Sequence, residues 1–217
     1  VITEYSVPTA GSLSGDIKAG PDGALWFSEY GKIGRIATSG TITEYALPSG
    51  IKGTPDIAVG PDDALWVGAS KGNLFYGGIC GFERMTTRGS FTFYPTHVCA
   101  ANGITTGPDH ALWFTDGGGV GRMSLAGAVT LYSIPTAESD PVAITTGPGG
   151  ALWFAEFGDG AEPNPGGNNI GRITISGSLT EYPLPANDSH PRGIAVGTDA
   201  AVWFTELSGN KIGRLKP

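Results

Sequence analysis

GPDGALWFSE, residues 20–29, decides the fold, because the phrase returns four times: GPDDALWVGA from Gly60, GPDHALWFTD from Gly107, GPGGALWFAE from Gly147 and GTDAAVWFTE from Gly197. Its tryptophans, Trp26, Trp66, Trp113, Trp153 and Trp203, lie 40, 47, 40 and 50 residues apart. A unit of that length with two insertions fits the blades of a β-propeller. No part of the unit has the helical stretch that ankyrin or tetratricopeptide repeats need.

Around each Trp the unit divides into four short strands. Strand a runs into the G-P-D turn, as in DIAVG (56–60). Strand b carries the Trp. Strand c is KIGRI (32–36) and its copies GFERM, GVGRM, NIGRI and KIGRL. Strand d is TITEYALP (41–48) and its copies. Gly or Asp stands at the turns, where a positive φ is least costly, and Pro closes strand d, where no ladder amide is lost. The chain opens on a strand d, VITEYSVP, and ends on a strand c, KIGRLKP. Side by side these complete a last blade and remove an open edge. The expectation is therefore an all-β, five-bladed propeller of four-stranded blades over residues 1–217, its last blade closed by the N-terminal strand. Five blades cut in register from a larger propeller would show the same phase.

Composition agrees with this reading. The chain has 217 residues, with 36 Gly and 16 Pro, but 40% of residues are hydrophobic, too many for a disordered chain. Thirteen basic against 20 acidic residues give a net charge of −7 and no basic stripe, which speaks against a nucleic-acid partner. No run of roughly twenty apolar residues exists to cross a membrane as a helix. The chain does not open on a basic and then apolar leader, so any secretion signal is expected to be removed or absent.

Alternating strand direction puts the b–c and d–a connections on one face, and they hold the length variation: residues 68–81 and 158–169. Loops on a rigid scaffold are where binding concentrates, so this face is the expected functional one. Strand b ends there with Glu29, Asp116, Glu156 and Glu206, with Gly68 in the second blade. These carboxylates suit either hydrogen bonds from loop amides or a hard cation, Mg²⁺ or Ca²⁺. Asp16, Asp56, Asp140 and Arg192 add a polar rim for a ligand. His190 precedes the closing blade and pairs in this reading with Glu206 as candidate catalytic groups, His190 as a general base; an exposed loop histidine is the plainer reading. The arginines repeated in strand c, Arg35, Arg84, Arg122, Arg172 and Arg214, read as architecture, and the tryptophans as packing. Cys80 and Cys99 fall on the variable face of adjacent blades, either as a disulfide, which implies an oxidising, secreted or periplasmic setting, or as separate thiols.

The repeated phrase GPDGALWFSE … KIGRI … GTITEYALP resembles the streptogramin B lyase (virginiamycin B lyase-like) family from Ile2 to Leu215. That resemblance implies a propeller with seven blades in family members, and Mg²⁺-assisted elimination at the ester of a cyclic depsipeptide antibiotic by His and Glu residues on the loop face. Aligned on WFTE, Glu206 matches the family's acidic position, whereas its histidines fall on Arg192 and near Val142, and His190 takes an acidic position. The expected function is thus a binding or scaffold propeller with a degenerate catalytic site, its partner a small polar molecule, a glycan or a protein. The alternative is a Mg²⁺-dependent lyase or hydrolase built on His190, Glu206 and Glu156. A scaffold with no dedicated ligand also remains open.

Overall fold

The computed structural model describes residues 2–12, 14–53, 56–72, 78–99, 101–158 and 166–217. The chain is all-β and divides into two units, residues 1–99 and 100–217. The first holds two blades. One is β1 (Ser14–Ala19), β2 (Leu25–Glu29), β3 (Lys32–Ile36) and β4 (Ile42–Ala46). The other is β5 (Ile51–Gly53), β6 (Ala58–Val59), β7 (Ala64–Lys71), β8 (Ile79–Thr86) and β9 (Phe91–Thr96). The second unit holds three: β10 (Ala101–Thr106) to β13 (Val129–Ser133), with β11 (Leu112–Asp116) and β12 (Gly119–Met123); β14 (Pro141–Gly147) to β17 (Leu179–Pro183), with β15 (Ala151–Glu156) and β16 (Asn169–Thr174); and β18 (Pro191–Val196), β19 (Val202–Glu206) and β20 (Lys211–Leu215). All pairings are antiparallel between sequence neighbours, apart from β5 and β6, which share β7. The five expected blades are present. In the last, three strands are described, and residues 2–7 form no strand, so the fourth strand expected there is not among them.

Alternation along strand b gives each blade two faces. Trp26 and Ser28 point one way, Leu25, Phe27 and Glu29 the other, and residues paired across the ladder share a face. The Trp face of one blade packs on the Phe face of the next. Trp26 and Ile33 meet Ile57, Leu65, Val67 and Met85. Trp113 and Val120 meet Ile144, Leu152 and Phe154, and Trp153 and Ile170 meet Val202 and Phe204. With both faces covered, strand b reads as an apolar run, not as a strict alternation. Strand d closes each interface with a tyrosine over the Trp: Tyr45 on Trp26 at 5.5 Å, Tyr132 on Trp113 at 5.7 Å and Tyr182 on Trp153 at 5.6 Å between ring centroids. Truncating a buried Trp of this kind costs about 3–5 kcal/mol.

The repeated turn has a mechanical reason. In Asp22, Asp62, Asp109 and Asp199, Oδ1 accepts from the indole N–H of the following Trp, and Oδ2 accepts from the strand-c arginine. The repeated arginines are thus architectural, as expected. The fourth blade lacks the Asp. Gly149 stands there, Trp153 turns its N–H to the Pro148 carbonyl, and the Arg172 guanidinium lies 5.7 Å over the Trp153 ring. The strand-c glycine is equally determined: a Cβ on Gly121 would lie 2.0 Å from the Phe114 ring, and Gly34, Gly171 and Gly213 face Phe27, Phe154 and Phe204 in the same way.

Two loop expectations change. The segment 68–81 is partly strand, because β7 and β8 each extend to eight residues and pair from Ala64↔Thr86 to Lys71↔Ile79. Cys80 therefore lies within strand c, not before it. Residues 73–77 of this insertion, and 159–165 of the second, lie outside the described residues.

Candidate functional site

Strand a reaches the functional face through a bulge that depends on strand b. The register slips between Ser14 and Ile17, Ala101 and Ile104, and Pro191 and Ile194. In each case a strand-b hydroxyl receives the amide set free: Ser28 from Asp16 N, Thr115 from Gly103 N and Thr205 from Gly193 N, at 2.9–3.0 Å. In the fourth blade Ala155 has no hydroxyl, and the ladder resumes one residue earlier, at Ala143↔Ala155. The residues entering strand a on this face are thereby held at the mouth of each blade.

The carboxylates at the end of strand b meet different surroundings. Glu29, Asp116, Glu156 and Glu206 occupy one register position, and the ladder places Ala69, not Gly68, there in the second blade. Glu156 is fully buried. Its Oε2 accepts from Asn169 Nδ2 at 2.9 Å, while Oε1 has no partner. Burial pushes its carboxyl up to about 8; the Asn169 amide opposes that rise and the nearby Glu181 carboxyl adds to it. Glu29 is buried with neither oxygen hydrogen-bonded, because Lys32, across the ladder, is committed to Glu44 at 2.6 Å. Burial raises Asp116, which lines a cavity of about 190 Å³ with Tyr132 and Ser133. Glu206 is half-buried, opposite Pro191.

His190 sits at a built corner. Its Nδ1 lies 2.8 Å from Asp188 Oδ1 and 2.8 Å from Ser208 Oγ, and its ring lies 4.8 Å from that of Phe157. A carboxylate only accepts, so the pairing favours the tautomer with hydrogen on Nδ1 and leaves Nε2 as the acceptor nitrogen. The backbone fixes the corner. Leu207 N donates to the His190 carbonyl, Ser208 N to that of Ser189, and Ser189 N to Asn168 Oδ1. Because Pro191 pairs with Glu206, His190 and Glu206 share one end of β18 and β19. Sequence reasoning missed Asp188 and Ser208; the positive φ at Asp188 and His190, in the segment NDSHP, is what turns them together.

The remaining rim residues separate. Asp16 and Asp56 come together: burial raises Asp16, but hydrogen bonds with Asp56 and Lys18 outweigh it and hold the carboxyl below its usual range. Asp140 is half-buried, its carbonyl accepting from Phe157 N. Arg192 is exposed, and Val142 packs in the apolar cluster around Trp153. Cys80 and Cys99 form a disulfide, consistent with an oxidising compartment, and line a cavity of about 420 Å³ with Ile79, Pro95 and His97. The expected thiol alternative is excluded. His110 is exposed in its turn.

Among the described residues no three His, Cys, Asp or Glu side chains group as ligands for a metal ion. No described helix is long and apolar enough to cross a membrane.

Among solved structures, a catalytically inactive histidine-to-alanine variant of virginiamycin B lyase from Staphylococcus aureus with quinupristin is 37% identical, with a TM-score of 0.85, over 99% of this chain and 70% of that one. A streptogramin B lyase structure is 36% identical, with a TM-score of 0.81, over 99% and 68%. A gluconolactonase from Xanthomonas campestris, 16% identical with a TM-score of 0.66 over 91% and 70%, shares the fold alone. No curated protein matches. The virginiamycin B lyase family model matches residues 1–163 and 163–217, and with these identities the chain belongs to the virginiamycin B lyase family.

Proposed function

We propose that this chain is a ligand-binding member of the family with a degenerate lyase site, holding a small polar molecule, first of all a cyclic depsipeptide, without opening its ring. One observation carries the reading. Near the position where the family resemblance calls for a histidine stands Val142, packed among Trp153, Ala155 and Ile170, a side chain that cannot act as a base. The corresponding position in the next blade is Arg192, an exposed guanidinium that offers donors and no acceptor. The disulfide supports a secreted or periplasmic site of action. Incubating the protein with quinupristin and Mg²⁺, with mass-spectrometric detection of the linearised product, tests it. Intact ring after prolonged incubation is expected; stoichiometric or greater linearisation overturns it.

A second reading has its own support in the Asp188–His190 contact of 2.8 Å. A carboxylate that orients Nδ1 leaves Nε2 able to take a proton. As a lyase, the chain would use Nε2 to remove the proton α to a carbonyl; the pair from that C–H bond forms a double bond, and the ester C–O bond breaks to release a carboxylate. Glu206, opposite Pro191, would orient the substrate. In that case Asp188→Asn lowers turnover with little change in KM, and His190→Ala abolishes it.

A further inference from the structure

Four of the five turns between strands a and b carry their own anion. Asp22, Asp62, Asp109 and Asp199 each set one carboxylate between the indole N–H and the strand-c guanidinium, at 2.9 and 2.6 Å for Asp109. The fourth turn, Pro148–Gly150, has Gly149 at that position. Trp153 and Arg172 are nevertheless both kept. The Arg172 guanidinium lies 5.7 Å from the Trp153 ring centroid. Arg35 lies 5.7 Å from that of Trp26 and Arg214 5.5 Å from that of Trp203, in blades that have the Asp. The cation and the indole thus stand as their counterparts do, and only the carboxylate is missing from the set.

What replaces the carboxylate is weak. The Trp153 N–H reaches the Pro148 carbonyl at 3.3 Å, against 2.9–3.0 Å to the Asp of the first three blades. Among the described residues no carboxylate pairs with Arg172, which is only half-buried. The ring face beneath it attracts the charge but accepts none of the in-plane N–H donors. The approach is also open. A Cβ on Gly149 would stand 3.3 Å from Arg172 Nη2, so the guanidinium borders the space of the Asp side chain. A Cβ on Gly150 would meet nothing within 4 Å, and both glycines are exposed.

We propose that this turn is a binding site for a small free carboxylate, of the size of formate or acetate, which takes the place the Asp side chain holds in the other blades. One oxygen accepts from Arg172 Nε–H. The other accepts from the Trp153 indole N–H, which gives up the Pro148 carbonyl. The planar fork of a guanidinium matches a carboxylate and not a halide, so shape selects the ligand as well as charge. The site stands at the start of β15, and Glu156 at the far end of that strand, so it is separate from the loop-face site. An untethered anion loses translational freedom that the Asp side chain never had, which sets the affinity in the millimolar range.

Proton–nitrogen correlation NMR of the isotope-labelled full chain tests this through its five indole N–H groups. Sodium formate is expected to shift one of them saturably at millimolar concentration, and sodium chloride at the same ionic strength to leave it in place. Arg172→Gln abolishes the shift. Gly149→Asp abolishes it as well, by tethering a carboxylate at a φ of 72°, which Asp tolerates better than most residues. Asp109→Gly makes a second indole, that of Trp113, respond to formate. Five indoles indifferent to formate overturn the proposal, as does a shift that chloride reproduces or that persists in Arg172→Gln.

Discussion

Asp109 holds Trp113 and Arg122 with one carboxylate, Oδ1 accepting from the indole at 2.9 Å and Oδ2 from the guanidinium at 2.6 Å. Burial raises this carboxyl, but the two hydrogen bonds and the arginine charge outweigh it and keep it ionised well into acid. Asp109→Ala removes both bonds and is expected to cost roughly 2–3 kcal/mol in urea unfolding. Asp109→Asn, which keeps the acceptor for Trp113, should cost less. Arg172→Ala should cost less than Arg122→Ala, because among the described residues Arg172 has no Asp partner and lies over Trp153.

Val67 and Glu83 exchange the sizes used in every other blade, where Phe faces Gly across the same ladder position. Glu83 is buried with Oε2 lacking a partner, and burial, against the weak pull of Lys71, lifts it to about 7. Val67→Phe alone should overpack the interface by about 1–3 kcal/mol. Combined with Glu83→Gly it restores the repeat, and the double variant should be more stable than the two single effects predict, by at least about 1 kcal/mol.

Glu156 gives stability a pH dependence of definite sign. The folded carboxyl holds its proton to about 8, and the unfolded one loses it near 4.5, so the folded state binds more protons between those values. Stability must therefore fall as pH rises across that window, by on the order of 5 kcal/mol in total from this group. Glu156→Gln should remove that fall, leaving a shallower slope from Glu83 that ends near 7. On the acid side Asp199 and Glu44, both held near 2 by their hydrogen-bonding partners, lose their contribution as pH drops from about 4 through 2. Denaturant midpoints in wild type and variant across pH 3–9 check both arms.

The Cys80–Cys99 bond closes a loop with a sequence separation of 19 between β8 and the connection leaving β9. On the chain-entropy model it contributes about 3 kcal/mol. Cys80→Ser with Cys99→Ser should lower the urea midpoint accordingly, and reduction of the wild type with dithiothreitol should reproduce that midpoint. A reduced wild type as stable as the oxidised one would contradict this.

Most of the blade architecture could be read from GPDGALWFSE, because Trp, Asp and the strand-c Gly and Arg are tied to each other by fixed contacts that repeat with the phrase. Placing Cys80 and Cys99 on one face left a disulfide and separate thiols both open, and the structure forms the disulfide. What could not be read was any feature set by local exceptions. Ala155 lacks the hydroxyl that receives the bulge amide, Gly149 replaces the clamping Asp, and β7 and β8 run on through residues that resemble a loop. The His190 corner was half visible. The histidine stood out, but Asp188 and Ser208 reach it only through the positive φ values at Asp188 and His190 and the backbone bonds between Ser189 and Ser208. The carboxylates of strand b showed their register but not their state, since burial, not sequence, decides that Glu156 keeps its proton.

Calorimetric titration of the purified chain with quinupristin, with the recovered ligand then weighed by mass spectrometry, tests the proposed function most directly. Saturable binding with the ring intact, weakened by His190→Ala or Arg192→Ala, is the predicted result. Absence of binding at millimolar ligand, or recovery of the linearised depsipeptide, would contradict it.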